Sequence, residues 1–381
     1  MSNPFTPVPS EDPDKLDTER ELGIEEPVFG ADESSAEKAE NAIELKEVEG
    51  LSQGRIVFRR FVRHRGAMIS LIVLILTILL AFSSVGVDAL GIVIPGWWKW
   101  DYIQISDTIN GGAPTLSLLP EWLGGGGIAW GEHPFGQDEV GHDTFAQVMR
   151  GTQQSLMIVF VIGIVSTVLG VVVGGVSGFF AGRVDQALMR FTDVIIIIPV
   201  IVIAAVLGRT FSGSGSFVLA LVLGLVFWTG LARLVRGDVL SLREREFVDA
   251  ARVAGASSSR IIFRHILPNT IGIVIVNATL LMSSAILTEA AISFLGFGVQ
   301  FPDVSLGKLI YDYQTAYNTR PWLFWWPGLF IIIIALTINF IGDGLRDAFD
   351  PRQKRALNAA ARRARAAARP AARAAARASR Q

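Results

Sequence analysis

The chain has 381 residues, of which 51% are hydrophobic and 18% charged, with a formal net charge of −1 and no cysteine. A chain this long and this apolar does not belong with ordinary soluble domains and is read as an integral membrane protein. The missing cysteines exclude disulfides and thiol catalysis, and four scattered His residues make no metal-ligand cluster.

The near-neutral total hides two opposite ends. Residues 1–50 hold 15 acidic against 4 basic side chains, and residues 351–381 hold 10 basic and none acidic. The first of these, with Pro4, Pro7, Pro9 and Pro13, has too little apolar surface to offset the entropy of ordering and is predicted to be a solvated, disordered tail, with a short helix possible at Ser35 to Val48. It has no apolar core of the kind a cleaved signal peptide carries.

Segment 51–87 combines a basic flank (Arg55, Arg59, Arg60, Arg63, Arg65) with a first span from Ala67 to about Val85. Basic flanks stay inside, which puts the amino terminus in the cytoplasm and segment 88–151 outside. That external segment is rich in Gly and Trp (Trp97, Trp98, Trp100, Trp122, Trp130), and Lys99 and Arg150 are its only Lys or Arg. Its aromatics are read as an interfacial belt or a small folded cap.

The core, 152–350, is predicted to hold five more spans. Leu156 to Val176 is the second, and Gly170, Gly174 and Gly178, four apart, let another helix approach closely. An inner loop with Arg183 and Arg190 leads to Val194–Leu207. Gly208–Gly215 turns outside, and Phe217–Leu231 returns; both spans are short and borrow flanking residues. The fifth span is Thr270–Leu287. After a second external stretch, Glu289–Pro321, the sixth, Trp322–Ile341, is anchored by Trp325 and Trp326. Six crossings put both termini in the cytoplasm. Asp193, Glu289 and Asn339 fall at span ends and are read as helix-end polar residues.

Between the fourth and fifth spans lies a charged interlude, 242–269, with seven Arg between Arg233 and Arg264. Phe247, Ala250, Ala251 and Ala254 recur at helical spacing, so one face is small and apolar while Arg243, Arg245, Asp249 and Arg252 stay wet. Gly255 suits a C-cap, Ser257 to Ser259 suit the cap of a second helix near Arg260, and Pro268 is expected to limit that helix. Such a segment lies at the membrane surface and docks something soluble. No phosphate-binding Gly loop with Gly-Lys-Ser/Thr, no nucleophile elbow and no His-Glu-x-x-His pattern occurs, so the chain is read as a conduit worked by a partner. The basic end, where Arg365, Arg369, Arg373 and Arg377 sit four apart, has lipid headgroups or plain solvation as its alternatives.

Asp249-Ala250-Ala251, three residues, Gly255, nine residues and His265-Ile266-Leu267-Pro268 resemble the signature loop of binding-protein-dependent ABC importer permeases, where Glu-Ala-Ala and Ile-x-Leu-Pro are usual. Here Asp249 replaces Glu and His265 replaces Ile. RRFVRHRGAM, HPFGQDEVGHDTFAQVMRGTQQSL, AGRVDQALMRFTD, ILTEAAISFLGFGVQFPDVSLGKLI and PGLFIIIIALTINFIGDGLRDAFDPR extend the resemblance, from about Arg55 to Arg352, to the C-type permeases of the dipeptide, oligopeptide and nickel branch. The family often has Arg where His142 stands. The resemblance implies an all-α integral membrane fold of the type I importer kind, six transmembrane helices and an extracytoplasmic insertion between the first two. It also implies a cytoplasmic coupling helix that brings Glu246, Asp249, Ala250, Ala251, Gly255 and Ala256 to an ATPase.

As partners it implies a related permease subunit, two ATPase subunits that bind ATP and Mg, an extracytoplasmic solute-binding protein, a peptide and the bilayer, with no nucleic acid. The chain itself would hold no cofactor and catalyse nothing. Its expected place is the bacterial cytoplasmic membrane, with short peptides as cargo moved by alternating access. A nickel chelate or glutathione is the alternative within the family, and a membrane-embedded enzyme or passive channel the alternative outside it.

Overall fold

The structure, a computed structural model, describes residues 53–89, 92–117, 127 and 129–349. The acidic tail 1–50 with its expected helix at Ser35 to Val48, Trp122 and the basic tail 351–381 lie outside the described residues. A compact unit begins at Val57, within the first helix.

Helices α1 (Gln53–Arg63) and α2 (Arg65–Ser84) are separated by His64, whose backbone is extended and whose Nδ1 caps α2 by accepting from the Ala67 N–H at 3.0 Å. Two short strands pair antiparallel next, β1 (Val87–Ala89) with β2 (Ile92–Ile94), and the described residues from there to Asp143 are irregular apart from a 3-10 turn at Asn110–Gly112. Asp143 caps α3 (Thr144–Phe180), its Oδ1 accepting from the Ala146 N–H at 2.7 Å. At 1.5 Å per residue this 37-residue helix is about 55 Å long, against a hydrocarbon layer of about 30 Å, so the expected span Leu156–Val176 is only its middle.

α3 is the central post. It packs on α2, on α6 (Ser216–Phe227) and α7 (Thr229–Leu242), and on the long apolar helix α9 (Ser258–Phe294). α9 and α2 in turn pack on α11 (Trp322–Phe349), and α10 (Leu306–Tyr313) sits across one end against α3, α9 and α11. The glycine spacing on α3 acts as read. A Cβ at Gly174 would come 2.4 Å from the Ala232 oxygen and one at Gly178 2.8 Å from the Arg236 oxygen, so α7 seats its backbone on that stripe.

Four helices, α2, α3, α9 and α11, are long and apolar enough to cross a bilayer, and two bent pairs qualify when each is taken together. The bent pairs correct the expected third and fourth spans. The residues around Arg183 and Arg190 are helical, not looped, in α4 (Gly182–Ile197), because the turn is made earlier, at Ala181 and Gly182 with φ of 51° and 56°. α4 meets α5 (Val200–Phe211) at 82°. The cause is Pro199: Ile198 before it is forced extended at ψ 126°, and proline has no N–H to continue the ladder. The second pair, α6 and α7, bends by 43° at Trp228, inside the expected Phe217–Leu231.

Pro268 does not stop the second helix of the interlude. Residues Ser258–Arg260 lead into a π-helical stretch, Ile261–Ile266, in which the Leu267 N–H donates to the Ile262 oxygen, and the chain continues to Phe294 without a break. The ladder there is already shifted to i→i+5 spacing, and the proline falls in the first turn of the α-helical part, where its missing N–H costs little.

Candidate functional site

The charged interlude folds as an elbow between α7 and α9. α8 (Glu246–Val253) follows α7 after three residues. It ends in a six-to-one, five-to-two cap: the Gly255 N–H donates to Arg252 O at 2.9 Å and the Ala256 N–H to Ala251 O at 3.0 Å. Gly255 holds φ +76°, a left-handed conformation that side-chain-bearing residues resist, and a Cβ there would meet nothing within 4 Å. Ser257 then caps the next helix, its Oγ accepting from the Arg260 N–H at 3.4 Å. The predicted helix, glycine turn and hydroxyl cap are all present.

The apolar residues of α8 divide between two faces. Val248 is fully buried and, with Ala251 and Ala256, packs on Val235, Val239, Ile261 and Ile266. Phe247, Ala250 and Ala254 are exposed, Val253 stands 91% exposed, and Gly255 is open. The protein's own core therefore takes one narrow stripe, and the small apolar face points away from it. Glu246 and Asp249 lie on the exposed side, Asp249 paired with Arg252 at 3.0 Å.

A polar clamp fixes the base of the elbow. Arg236 on α7 grips Asp185 on α4 with both Nε (2.5 Å) and Nη2 (2.6 Å), and Ser177 at the end of α3 donates to the same carboxylate. Arg243 donates to the Phe179 oxygen at 3.3 Å, and Arg233 pairs with Asp193 at 2.6 Å. Asp193, read as a plain helix-end residue, is thus one half of a tie between α4 and α7.

At the opposite end of α3, Glu289 is 2% exposed, which corrects its reading as an ordinary helix-end residue. Ser155 on α3 donates to its Oε2 at 3.1 Å and Ser293 on α9 to its Oε1 at 2.9 Å, while the Leu306 N–H of α10 donates to Ser155 Oγ at 3.2 Å. Three helices are tied at one point. Sequence reading missed this, although Glu289 and Ser293 lie four apart and so on one face.

Beyond that end lies a lobe built from the described residues between 87 and 143. Trp98 donates to Asp143 Oδ1 at 3.0 Å, His133 Nδ1 meets Oδ2 at 2.7 Å, and Trp100 stacks on His133 at 5.0 Å. Burial pushes the Asp143 carboxyl up despite these donors. Asp138 accepts from the backbone N–H groups of Val140, Gly141 and His142, contacts His142 Nδ1 at 2.6 Å and accepts from the Tyr313 hydroxyl at 2.9 Å. Burial pushes Asp138 up, but the His142 side chain and N–H and the Tyr313 hydroxyl outweigh it and hold the carboxyl below its ordinary value. Phe135 stacks on Trp326 at 3.8 Å, so of the two expected anchoring tryptophans only Trp325, 64% exposed, is free on the surface. Of the two readings of the aromatics, these contacts favour a small folded cap. Among the described residues no three His, Asp or Glu side chains gather as a metal ion would require.

Comparison with known proteins shows the family of the chain. Residues 166–355 match the family described as binding-protein-dependent transport system inner membrane component, and residues 52–114 match the N-terminal TM domain of oligopeptide transport permease C. The chain is 38% identical to the oligopeptide transport system permease protein OppC of Mycobacterium tuberculosis, over 80% of this chain and 97% of that protein. Against OppC of Escherichia coli K12 it is 36% identical, over 84% and 98%, and against OppC of Bacillus subtilis 32% identical, over 81% and 92%. Among solved structures, a chain of the MetNI methionine ABC transporter in an inward-facing conformation aligns at 20% identity, over 54% of this chain and 97% of that one, with a TM-score of 0.44. With relatives above 30% identity covered almost end to end, the chain belongs to the binding-protein-dependent inner membrane transport components, as a C-type oligopeptide ABC permease.

Proposed function

We propose that the chain is the permease subunit of an ATP-driven importer of short peptides and that α8 is its coupling helix. The observation that carries the coupling role is the division of α8 into a fully buried Val248 and an exposed face of Phe247, Ala250, Val253, Ala254 and Gly255. A short helix held by one stripe, with its small-residue face left uncovered, fits a groove in a soluble partner. Family membership and relatives named oligopeptide permeases support peptide cargo.

In this reading the two bent pairs complete six crossings, both termini and the elbow face the cytoplasm, and the lobe faces the solute-binding protein. A related permease subunit lines the other half of the path. ATP and Mg belong to two ATPase subunits, whose closure carries Glu246, Asp249, Ala250, Ala251, Gly255 and Ala256 with them. The clamp of Arg236, Asp185 and Ser177 passes that displacement into α3, α4 and α7, and the path opens outward; hydrolysis reverses it.

The test is Gly255→Arg in the assembled importer. Any side chain is strained at φ +76°, so Gly255→Ala is the control that carries the strain without the cation; nothing lies within 4 Å of a Cβ there, so the spans should fold in both, while only the long cation blocks the groove. ATP hydrolysis without peptide uptake is the expected result; normal uptake would sink the coupling role.

A further inference from the structure

Helix α1 has a face that neither the bundle nor the coupling role uses. It contains no acidic residue. One side is taken up by the C-terminal end of α11: Arg60 donates to the Ala348 oxygen at 3.5 Å, His64 contacts Asp347 at 3.4 Å, and Phe61 and His64 lie over Gly344. These contacts suit a helix C-terminus, where exposed carbonyls attract cations. The other side carries Phe58, 68% exposed, and Val62, 44% exposed, with Arg59 and Arg63 beside them and Arg65 just beyond. Among the described residues none of these three arginines pairs with a carboxylate.

Two exposed apolar side chains set among arginines suit neither bulk water nor the hydrocarbon core. They suit the boundary between them. Position agrees, because α1 leads at His64 directly into α2, a helix long and apolar enough to cross the bilayer. A helix of this make-up lies in the interface with its apolar residues among the acyl chains and its cations at the headgroups, more strongly when those headgroups are negative.

We infer that α1 is a binding surface for anionic phospholipid, with Phe58 and Val62 entering the acyl boundary and Arg59, Arg63 and Arg65 engaging headgroup phosphates. This goes beyond peptide transport and holds whatever the cargo is. The acidic residues of segment 1–50 are the other chemistry that could meet these arginines, but they offer nothing to Phe58 and Val62.

The test uses the assembled complex in nanodiscs of phosphatidylcholine alone or of phosphatidylcholine with phosphatidylglycerol at about three to one. Lipids retained after extraction are counted by native mass spectrometry. A basic residue at the surface is worth about fivefold in affinity for anionic lipid (about 1 kcal/mol). Arg59→Gln/Arg63→Gln/Arg65→Gln should therefore lose the phosphatidylglycerol excess by at least about fivefold. The matching Lys triple should keep it. The chain has no cysteine, so Val62→Cys in cysteine-free partners can carry an environment-sensitive fluorophore, which should lie further to the blue with phosphatidylglycerol than with phosphatidylcholine alone. An unchanged phosphatidylglycerol excess in the Gln triple would overturn the inference. So would a fluorophore that stays in water in both nanodiscs, or one whose shift vanishes when residues 1–50 are removed, the acidic tail then being the occupant.

Discussion

Val248 and its neighbours decide what the elbow can do. Because Val248 is fully buried against Val235, Val239, Ile261 and Ile266, truncation to Ala should cost about 2 kcal/mol locally and loosen α8. The expected signature is faster amide exchange in Glu246–Val253 with the spans unchanged, together with a lower ratio of uptake to ATP hydrolysis. In the sequence Phe247 is in phase with Ala250, Ala251 and Ala254. Periodicity shows which residues share a face but not which face the protein keeps for itself; that followed from where α7 and α9 place their valines and isoleucines. Asp138 gives a second test at this scale. Its folded pKa is depressed, so the stability it contributes is present above the ordinary carboxylate range and is lost as pH falls through the lowered folded value. Asp143, raised by burial, acts in the opposite sense in the same lobe, so the Asp138 contribution is read as the difference in acid response between the natural protein and Asp138→Asn, followed by tryptophan fluorescence. Asp138→Asn should weaken the lobe at neutral pH and flatten that acid response.

Among the elements, the long helices were legible and neither bend was predicted. α2, α3, α9 and α11 stand where uninterrupted apolar runs predicted spans, though each run marks only the part that lipid selects, and α3 extends beyond it at both ends. Pro199 in an isoleucine run carried the signal for the bend between α4 and α5, since proline and the residue before it break the ladder together. Trp228 carried no comparable signal: no proline or glycine occupies it, and the 43° turn is visible only in the packed bundle. The glycine stripe of α3 was read correctly because close approach has few other solutions. Gly174→Leu should separate α3 from α7, since even its Cβ would press on the Ala232 oxygen. Overpacking of this kind costs about 1–3 kcal/mol or more, measurable as a lower melting temperature of the purified complex.

For the whole molecule, both ends of α3 are held. One is tied through Asp185, Arg236 and Ser177 to the elbow, the other through Ser155 and Glu289 to α9 and α10. A helix fixed at both ends can carry a displacement from one side of the bundle to the other. The contact at the elbow end is open to direct measurement: Ala250→Cys or Val253→Cys adds the chain's sole thiol. In the assembled importer it should cross-link to an ATPase subunit with a yield that changes on nucleotide binding. Cross-linking to nothing, or labelling by a membrane-impermeant reagent from outside intact cells, would contradict the proposed sidedness.

The widened turn at Ile261–Ile266 has a reach out of proportion to its six residues. One extra residue in a turn of a 3.6-residue helix rotates the azimuth of everything downstream by about 100°. Thr270, Val274, Ser283 and Glu289 are buried downstream of it, in the phase that this offset sets relative to the elbow. Rewinding the turn to regular pitch would swing the carboxylate of Glu289 away from Ser155, so the aim of a helix tip near the lobe is set beside the elbow, at the far end of the same helix.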